Sequence, residues 1–307
     1  MNVFLWHVHG SWTTAFVQGR HRYLVPVLPD RGPDGLGRAA TWTWPESVEE
    51  LPIDQAQDAP VDLVLLQRPH EIDLVPEWLG GRRPGIDVPA VYVEHNTPRG
   101  RVEEMLHPLA GRPEILLVHV TNFNRVFWDN GDARVEVVEH GVVDPGPAYT
   151  GELERCAVVV NEPVRRRRVA GIDLLPELAG PVPVDLFGIG TDRDLPQSCL
   201  HREMARRRLY LHAYRWTSLG LALVEAMHLG MPVVAFASTE AVEAVPPGCG
   251  VVSTDPRKLR EGVERLRREP DRARELGRRA REQALARYGL NRFLRDWDQL
   301  LSMEVAR

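Results

Sequence analysis

The grouping of apolar residues constrains the fold of this chain more than any other feature. Short apolar runs rich in β-branched residues recur at 3–8, 23–28, 61–66, 90–93, 115–120 and 135–138. A second series follows at 157–160, 184–187, 209–211, 233–236 and 251–253. A strand with one wet face alternates apolar and polar residues, whereas continuous runs mark strands covered on both faces, as in parallel sheets. Helical segments fall between several of these runs, at 172–178, 202–207 and 221–229. Strands alternating with helices predict an α/β fold built on parallel sheets.

The two series are separated by the polar, Pro- and Gly-rich passage "VVDPGPAYTGELER" at 142–155, which reads as a linker between two domains. This gives a first domain over 1–147, a second over 148–288 and a C-terminal helix over 289–307. The first domain reads as short of helix, since its first crossover, 11–19, has room for barely two turns. At the other end, Leu259, Val263 and Leu266 fall at helical spacing before Pro270, and Ala273, Leu276, Ala280 and Ala284 continue that spacing up to Gly289. Asn291 reads as the N-cap of a last amphipathic helix carrying Phe293, Leu294, Trp297, Leu300 and Leu301. The arginines between 257 and 287 alternate with acids, which favours a solvated, ion-paired face over an anion-binding one.

Composition narrows the function classes. The chain has 307 residues, 43% hydrophobic and 26% charged, with a net charge of −5, so nothing in it selects for nucleic acid or an anionic membrane. No apolar stretch approaches the roughly 18 residues needed to span a bilayer. The start of the chain lacks the pattern of a signal peptide. Cys156, Cys199 and Cys249 are widely spaced and form no C-x-x-C pair. They point to a reducing cytoplasm rather than a disulfide framework or a structural zinc site.

The most informative segment is "YRWTSLGLALVEAMHLGMPVVA", residues 214–235. A polar turn, Thr217-Ser218-Leu219-Gly220, feeds an apolar helix that holds one acid, Glu225. In an open parallel sheet, ligands lie beyond the carboxyl ends of the strands. A helix starting there directs its free N–H groups and positive dipole end at the crevice, an arrangement suited to phosphate. Gly220 lets the ligand approach closely because it carries no Cβ. Glu225, about one and a half turns further in, is costly to bury without partners, and two vicinal ribose hydroxyls would satisfy it.

These residues carry a resemblance. The segment is similar to the donor-binding motif of glycosyltransferase family 4, roughly PS-x-x-E-G-F-G-L-x-x-x-E-A-M-A-x-G-x-P-V-V-A, and the register holds without a gap through Gly220-Leu221, Glu225-Ala226-Met227 and Gly230-Met231-Pro232-Val233-Val234-Ala235. The resemblance implies a GT-B fold: two Rossmann-like domains facing a cleft, a shortened first domain, and a C-terminal helix crossing back onto it. It implies transfer of a sugar from a UDP-, GDP- or dTDP-sugar to a glycan, lipid or small-metabolite acceptor, with retention of configuration and with no metal or cofactor. Glu225 would hold the ribose, and Ser218, Leu219, Gly220 and Leu221 the distal phosphate. Thr217 stands where the family carries the first Glu of its E-x7-E pair and offers a hydroxyl without charge. "RRVAGIDLLPEL" (167–178) resembles R-K-G-V-D-L-L-x-E-A, with Ala170 at the lysine position, so Arg165 and Arg168 would clamp the diphosphate instead. "FGIG" (187–190) resembles V-G-x-G and adds Gly188. In the first domain Gly10 fits the Gly-rich turn after the first strand, and His95, in "VYVEHNTPRG", would contact the donor sugar.

Two other readings stay open from the residues. Thr217 is compatible with a nucleotide-sugar-binding protein that does not turn over, or with a partner subunit of an active transferase. His7 and His9, an H-x-H at the end of the first strand, also open metal-dependent amidohydrolase barrels, with His70, His95 and His119 as further ligands.

Overall fold

The computed structural model describes residues 1–307, which form two compact units, Met1–Gly141 with Leu290–Arg307, and Val142–Gly289. The first unit contains β1 (Asn2–Leu5), α1 (Gly10–Phe16), β2 (Arg22–Val27), β3 (Val48–Pro52), β4 (Leu63–Leu66), α2 (Glu71–Trp78), β5 (Ala90–Glu94), β6 (Leu116–His119), α3 (Asn122–Phe127) and β7 (Arg134–Val137). Its strands lie in the order β3-β2-β1-β4-β5-β6-β7, every neighbouring pair parallel. β4 is buried at every position, as its unbroken apolar run requires. The chain runs outward from β1 through β3, then returns to the far side of β1, so the order reverses between β1 and β4.

The second unit contains β8 (Leu153–Val159), α4 (Leu175–Ala179), β9 (Val184–Phe187), α5 (Gln197–Arg206), β10 (Arg207–His212), α6 (Leu221–His228), β11 (Val233–Phe236), α7 (Ala241–Ala244), β12 (Val251–Ser253), α8 (Pro256–Arg268) and α9 (Pro270–Tyr288). Its five parallel strands lie in the order β12-β11-β10-β8-β9, which places the reversal between β8 and β10. α6 packs on one face of this sheet through Leu223, Val224 and Met227, while α8 covers the other through Leu259, Val263 and Leu266. The arginines of α8 and α9 pair along their own helices, Arg268 with Glu264 at 2.6 Å and Arg279 with Glu275 at 2.7 Å, as a solvated face does.

The last helix, α10 (Leu290–Val305), belongs to the first unit. Its apolar stripe buries Phe293, Trp297 and Leu301. Trp297 meets Trp12 and Phe16 of α1 edge to face, with ring centroids 5.7 and 5.2 Å apart. Such aromatic geometry adds roughly 0.5–1.5 kcal/mol per pair beyond the area it covers. Arg134 of β7 ties down the far end of α10 by bonding Glu304 at 2.6 and 2.8 Å.

The structure departs from the sequence reading at three points. Asn291 does not cap α10; the helix already includes Leu290, and Asn291 lies exposed in its first turn. β3 lies in a segment, "VEELP", that the apolar-run criterion passes over, because two consecutive glutamates leave this edge strand with too few apolar residues to form a run. The two open sheets leave no place for a closed eight-stranded barrel, so the amidohydrolase reading falls.

Candidate functional site

The carboxyl ends at a sheet's reversal point are where an open α/β unit leaves a crevice for ligands. In the second unit these are the loops after β8 (160–171) and after β10 (213–220). The loop after β8 is fitted closely against the neighbouring strand end. Gly171 has φ +69°, and a Cβ there would lie 1.8 Å from the Ala213 carbonyl oxygen, so only glycine serves. Gly188, in the turn after β9, has φ +118°, and its missing Cβ would stand 2.6 Å from the Val160 carbonyl oxygen. That turn is stitched to β8 by Asn161 Oδ1, which accepts the Ile189 amide at 3.0 Å. Gly188 thus has a structural reason for being glycine at the place the family motif puts it.

The turn Thr217–Gly220 leads directly into α6. Ser218 and Leu219 are buried, and Thr217 and Leu221 are half-buried. Gly220 is the N-cap at φ −67°, ψ 114°, an extended conformation open to any residue. Its glycine answers instead to His212 at the end of β10, whose Cε1 would lie 2.7 Å from an added Cβ. His212 is buried, stacks on Tyr214 with centroids 4.9 Å apart, and has its pKa lowered to about 4 by that burial. The imidazole is therefore neutral, and the start of α6 faces no competing positive charge from it. The backbone N–H groups of Leu221 and Ala222 open the helix with no acceptor inside it.

Of the arginine run, Arg165 pairs with Glu162 (Nε to Oε1 2.9 Å) and Arg168 lies 3.8 Å from Asp173, both largely exposed. Arg166 is half-buried, with its guanidinium 5.5 Å above the Tyr214 ring in the loop after β10. It is the member of the run that the fold sets beside the crevice, a distinction spacing alone does not reveal. Arg215 is occupied by Asp173, bonding both carboxylate oxygens at 2.7 and 2.8 Å.

Glu225 is 4% exposed, and α5 supplies partners for it. Gln197 Nε2 lies 3.1 Å from Glu225 Oε1, and His201 Nε2 lies 3.3 Å from Oε2. The sequence reading missed both residues, although their i, i+4 spacing on one helix face was a usable signal.

The first unit gathers histidines at its own strand ends. Gly10 opens α1 beneath Trp42, whose Nε1 would lie 3.1 Å from a Cβ at that position. His95 follows β5 and sits beside His9 (4.1 Å between ring centroids), Trp12 (5.0 Å) and His140 (6.4 Å). Burial lowers the pKa of His9 to about 4 and of His140 to about 3, and holds His95 well below 6.5. Gln67, just after β4, orients His95. Its Nε2 donates to the Trp6 carbonyl at 2.8 Å, so Oε1 faces His95 Nε2 at 3.1 Å. An amide oxygen only accepts, so His95 carries its proton on Nε2 and leaves Nδ1 as a bare acceptor. The loop is braced from behind by Glu94, which accepts the Asn96 amide at 2.6 Å and meets buried His107 at 3.1 Å. No group of three or more His, Cys, Asp or Glu in the structure has the arrangement of a metal site.

Two Rossmann-like parallel-sheet units, with the final helix counted in the first, define the GT-B class of α/β fold. Residues 194–283, which span α5, the turn before α6, Glu225 and most of α9, match the family "glycosyl transferases group 1". Among curated proteins, none matches the sequence significantly. Among solved structures the chain is similar to sucrose-phosphate synthase from Thermosynechococcus elongatus, with a TM-score of 0.71 and 12% identity over 100% of this chain and 99% of that one. It is also similar to HepE from Anabaena in complex with UDP, with a TM-score of 0.67 and 14% identity over 98% and 99% of the two chains. A glycosyltransferase from Rickettsia africae gives a TM-score of 0.64 and 12% identity over 99% and 98%. No helix is long and apolar enough to cross a membrane.

Proposed function

We propose that this protein is a glycosyltransferase that takes a sugar from a nucleoside-diphosphate sugar and passes it to a hydroxyl-bearing acceptor, with retention of configuration and without a metal ion. The second unit holds the donor and the first receives the acceptor. The observation that carries this reading is the start of α6, which opens from the turn after β10 at the β8/β10 reversal inside the segment that matches group 1 glycosyltransferases. There the N–H groups of Leu221 and Ala222, with the backbone of Ser218 to Gly220, bind the distal phosphate. Arg166 takes the diphosphate from the other side, with Arg165 and Arg168 available once released from their acidic partners. Glu225 binds the ribose, Gly188 admits the nucleotide to the loop after β9, and Gly10 leaves room at the first strand end. HepE, solved with UDP, supports a nucleotide in a fold of this kind.

The chemistry asked of such a site is stabilisation of charge on the departing diphosphate. Preorganised amide donors and a guanidinium supply it with little reorganisation. In the first unit, His95 offers a neutral imidazole whose Nδ1 accepts a hydrogen bond from a sugar hydroxyl. Thr217 supplies a hydroxyl where an acid would otherwise contact the sugar. That substitution favours one second reading, a protein that binds a nucleotide sugar without turning it over. The three free thiols suit a cytoplasmic setting.

Incubation with UDP-, GDP- and dTDP-sugars, scored for released nucleoside diphosphate, tests the reading. Release with one donor, abolished by Gly220→Val, is the expected result. Binding without release selects the non-catalytic reading. No binding of any member refutes both.

A further inference from the structure

We infer that the open edge of the first unit's sheet is a docking surface for a second copy of this chain, and that β7 of one copy pairs antiparallel with β7 of the other, with Val135 opposite its own counterpart. The two seven-stranded sheets then run on as one. Nothing in this pairing depends on what the second unit binds.

β7 is the last strand of its sheet, and its outer side meets no other strand. The Val138 amide donates to the His119 carbonyl of β6 at 3.1 Å. Successive residues of a strand direct their N–H and C=O groups to opposite sides. Arg134 and Glu136 therefore bond to β6, while Val135 and Val137 present their groups along the open edge. Such a row of donors and acceptors is a template for another strand. Beside the edge, on the face of the sheet that carries α10, runs a groove of about 720 Å³. Leu116 and Leu300 line it, and Met303 stands 66% exposed on its α10 side. Strand and helix both belong to the first unit.

The charges on β7 select both the occupant and the register. Arg134 and Glu136 project from the same face, because side chains alternate along a strand. When two copies pair about a twofold axis, the outward-facing residues bond one another, and neighbouring registers differ in what they set opposite these two charges. Centring the axis on Arg134 sets it against the partner's Arg134. Centring it on Glu136 sets two glutamates together. Centring it on Val135 sets Arg134 opposite the partner's Glu136, twice over by symmetry. Like charges directly opposite destabilise a strand pair and opposite charges support it, so the Val135 register is the one that survives. In it Val135 exchanges two main-chain hydrogen bonds with its counterpart, and the Val137 amide donates to the carbonyl of the partner's Ala133. Arg134 is held ready by Glu304 at 2.6 and 2.8 Å, and Glu136 is exposed and pairs with no cation of its own copy. The axis stands perpendicular to the joined sheet, so the α10 helices of both copies flank the seam on one face. The acid and base that complement each other lie on β7 itself, two residues apart, which selects a second copy over an unrelated strand. A surface that contacts itself in this way is the interface of a closed twofold dimer.

Sedimentation velocity of the full chain from about 1 to 200 µM, a span that reaches small interfaces, tests the inference with wild type, Glu136→Lys and Val135→Pro. Wild type is expected to pass from the 34.7 kDa monomer to twice that mass as concentration rises. Glu136→Lys is expected to raise the dissociation constant about tenfold or more, since both symmetric charge contacts turn repulsive. Val135→Pro removes an amide that the chain's own sheet does not use, so it is expected to keep a cooperative melt and lose the dimer. Should that variant fail to fold, Glu136→Lys, at an exposed position, decides alone. In wild type, amide exchange at Val135 and Val137 is expected to slow as concentration rises, while Glu136, bonded to β6, exchanges slowly throughout. A monomer across the whole range overturns the inference. A dimer left unchanged by Glu136→Lys, or one in which the Val135 and Val137 amides still exchange freely, overturns it as well, because another register or another surface then joins the copies. Species larger than a dimer also overturn it, since a twofold pairing closes on itself.

Discussion

Replacing Gly220 by alanine separates a packing requirement from a ligand requirement at the helix start. The backbone there, φ −67° and ψ 114°, suits alanine, so no strain comes from the main chain. Restricting the unfolded chain even favours the substitution by about 0.4–1 kcal/mol. The opposing effect is steric. The new methyl stands 2.7 Å from His212 Cε1, 3.5 Å from Nε2 and 3.6 Å from Nδ1, so the ring has to retreat by the better part of an ångström to reach ordinary carbon contact. His212 is 1% exposed and stacked on Tyr214, so it retreats only by disturbing its neighbours. Overpacking of that kind costs about 1–3 kcal/mol, and the net loss is about 0–2.6 kcal/mol. For a unit of this size that lowers the melting temperature by up to about 10 °C. Urea denaturation of wild type, Gly220→Ala, His212→Ala and the double variant forms a cycle. The two changes should couple by about 1 kcal/mol or more, because His212→Ala removes the obstacle. Additive effects within error refute the account. Nucleotide titration of the double variant then isolates the ligand: stability relieved but affinity still reduced assigns Gly220 a role in phosphate approach as well.

Other perturbations bear on different parts of the molecule. Arg166→Ala should weaken nucleoside-diphosphate binding about tenfold or more and leave the nucleoside alone unaffected, while Arg165→Ala and Arg168→Ala, each relieving an acid at the surface, should change affinity less; equal losses across the three contradict the placement over Tyr214. Nitrogen-15 NMR at pH 7 should show His95 neutral with its proton on Nε2, and Gln67→Glu should raise its pKa by setting a negative charge where the amide oxygen stands; a bare Nε2 in wild type refutes the assignment. Burial lowers the pKa of His119, His140 and His212 to about 4, 3 and 4. Each then takes up a proton on unfolding between pH 6.5 and its folded value, so their stabilisation is whole above pH 6.5 and drains as pH falls toward 4. Each contributes a slope of up to about 1.4 kcal/mol per pH unit, and urea midpoints that hold level from pH 7 to 5 would sink this reasoning.

The sequence by itself determined the class of fold and the position of its best motif. Short apolar runs rich in β-branched residues announce strands, and that pattern is local, so 184–187, 233–236 and 251–253 come out as strands at those bounds. Gly220 and Glu225 were legible for a similar reason, since a helix start and an acid one and a half turns later are fixed by spacing within one element. What depends on two elements meeting was decided only by the tertiary structure. β3 exists because β2 offers it an edge, not because "VEELP" favours a strand. Asn291 has the chemistry of a cap, but the stripe that packs on α1 draws Leu290 into the helix ahead of it. Which arginine of four stands beside the crevice depends on where the chain after β10 sets the Tyr214 ring. The proton on His95 depends on an amide after β4 whose orientation is set by Trp6. The partners of Glu225 come from α5, more than twenty residues away in the chain. Covalent order fixes what neighbours within a helix or strand see of one another, whereas the donors and charges that a buried group meets across a packed interface are set when the sheet and its helices close together.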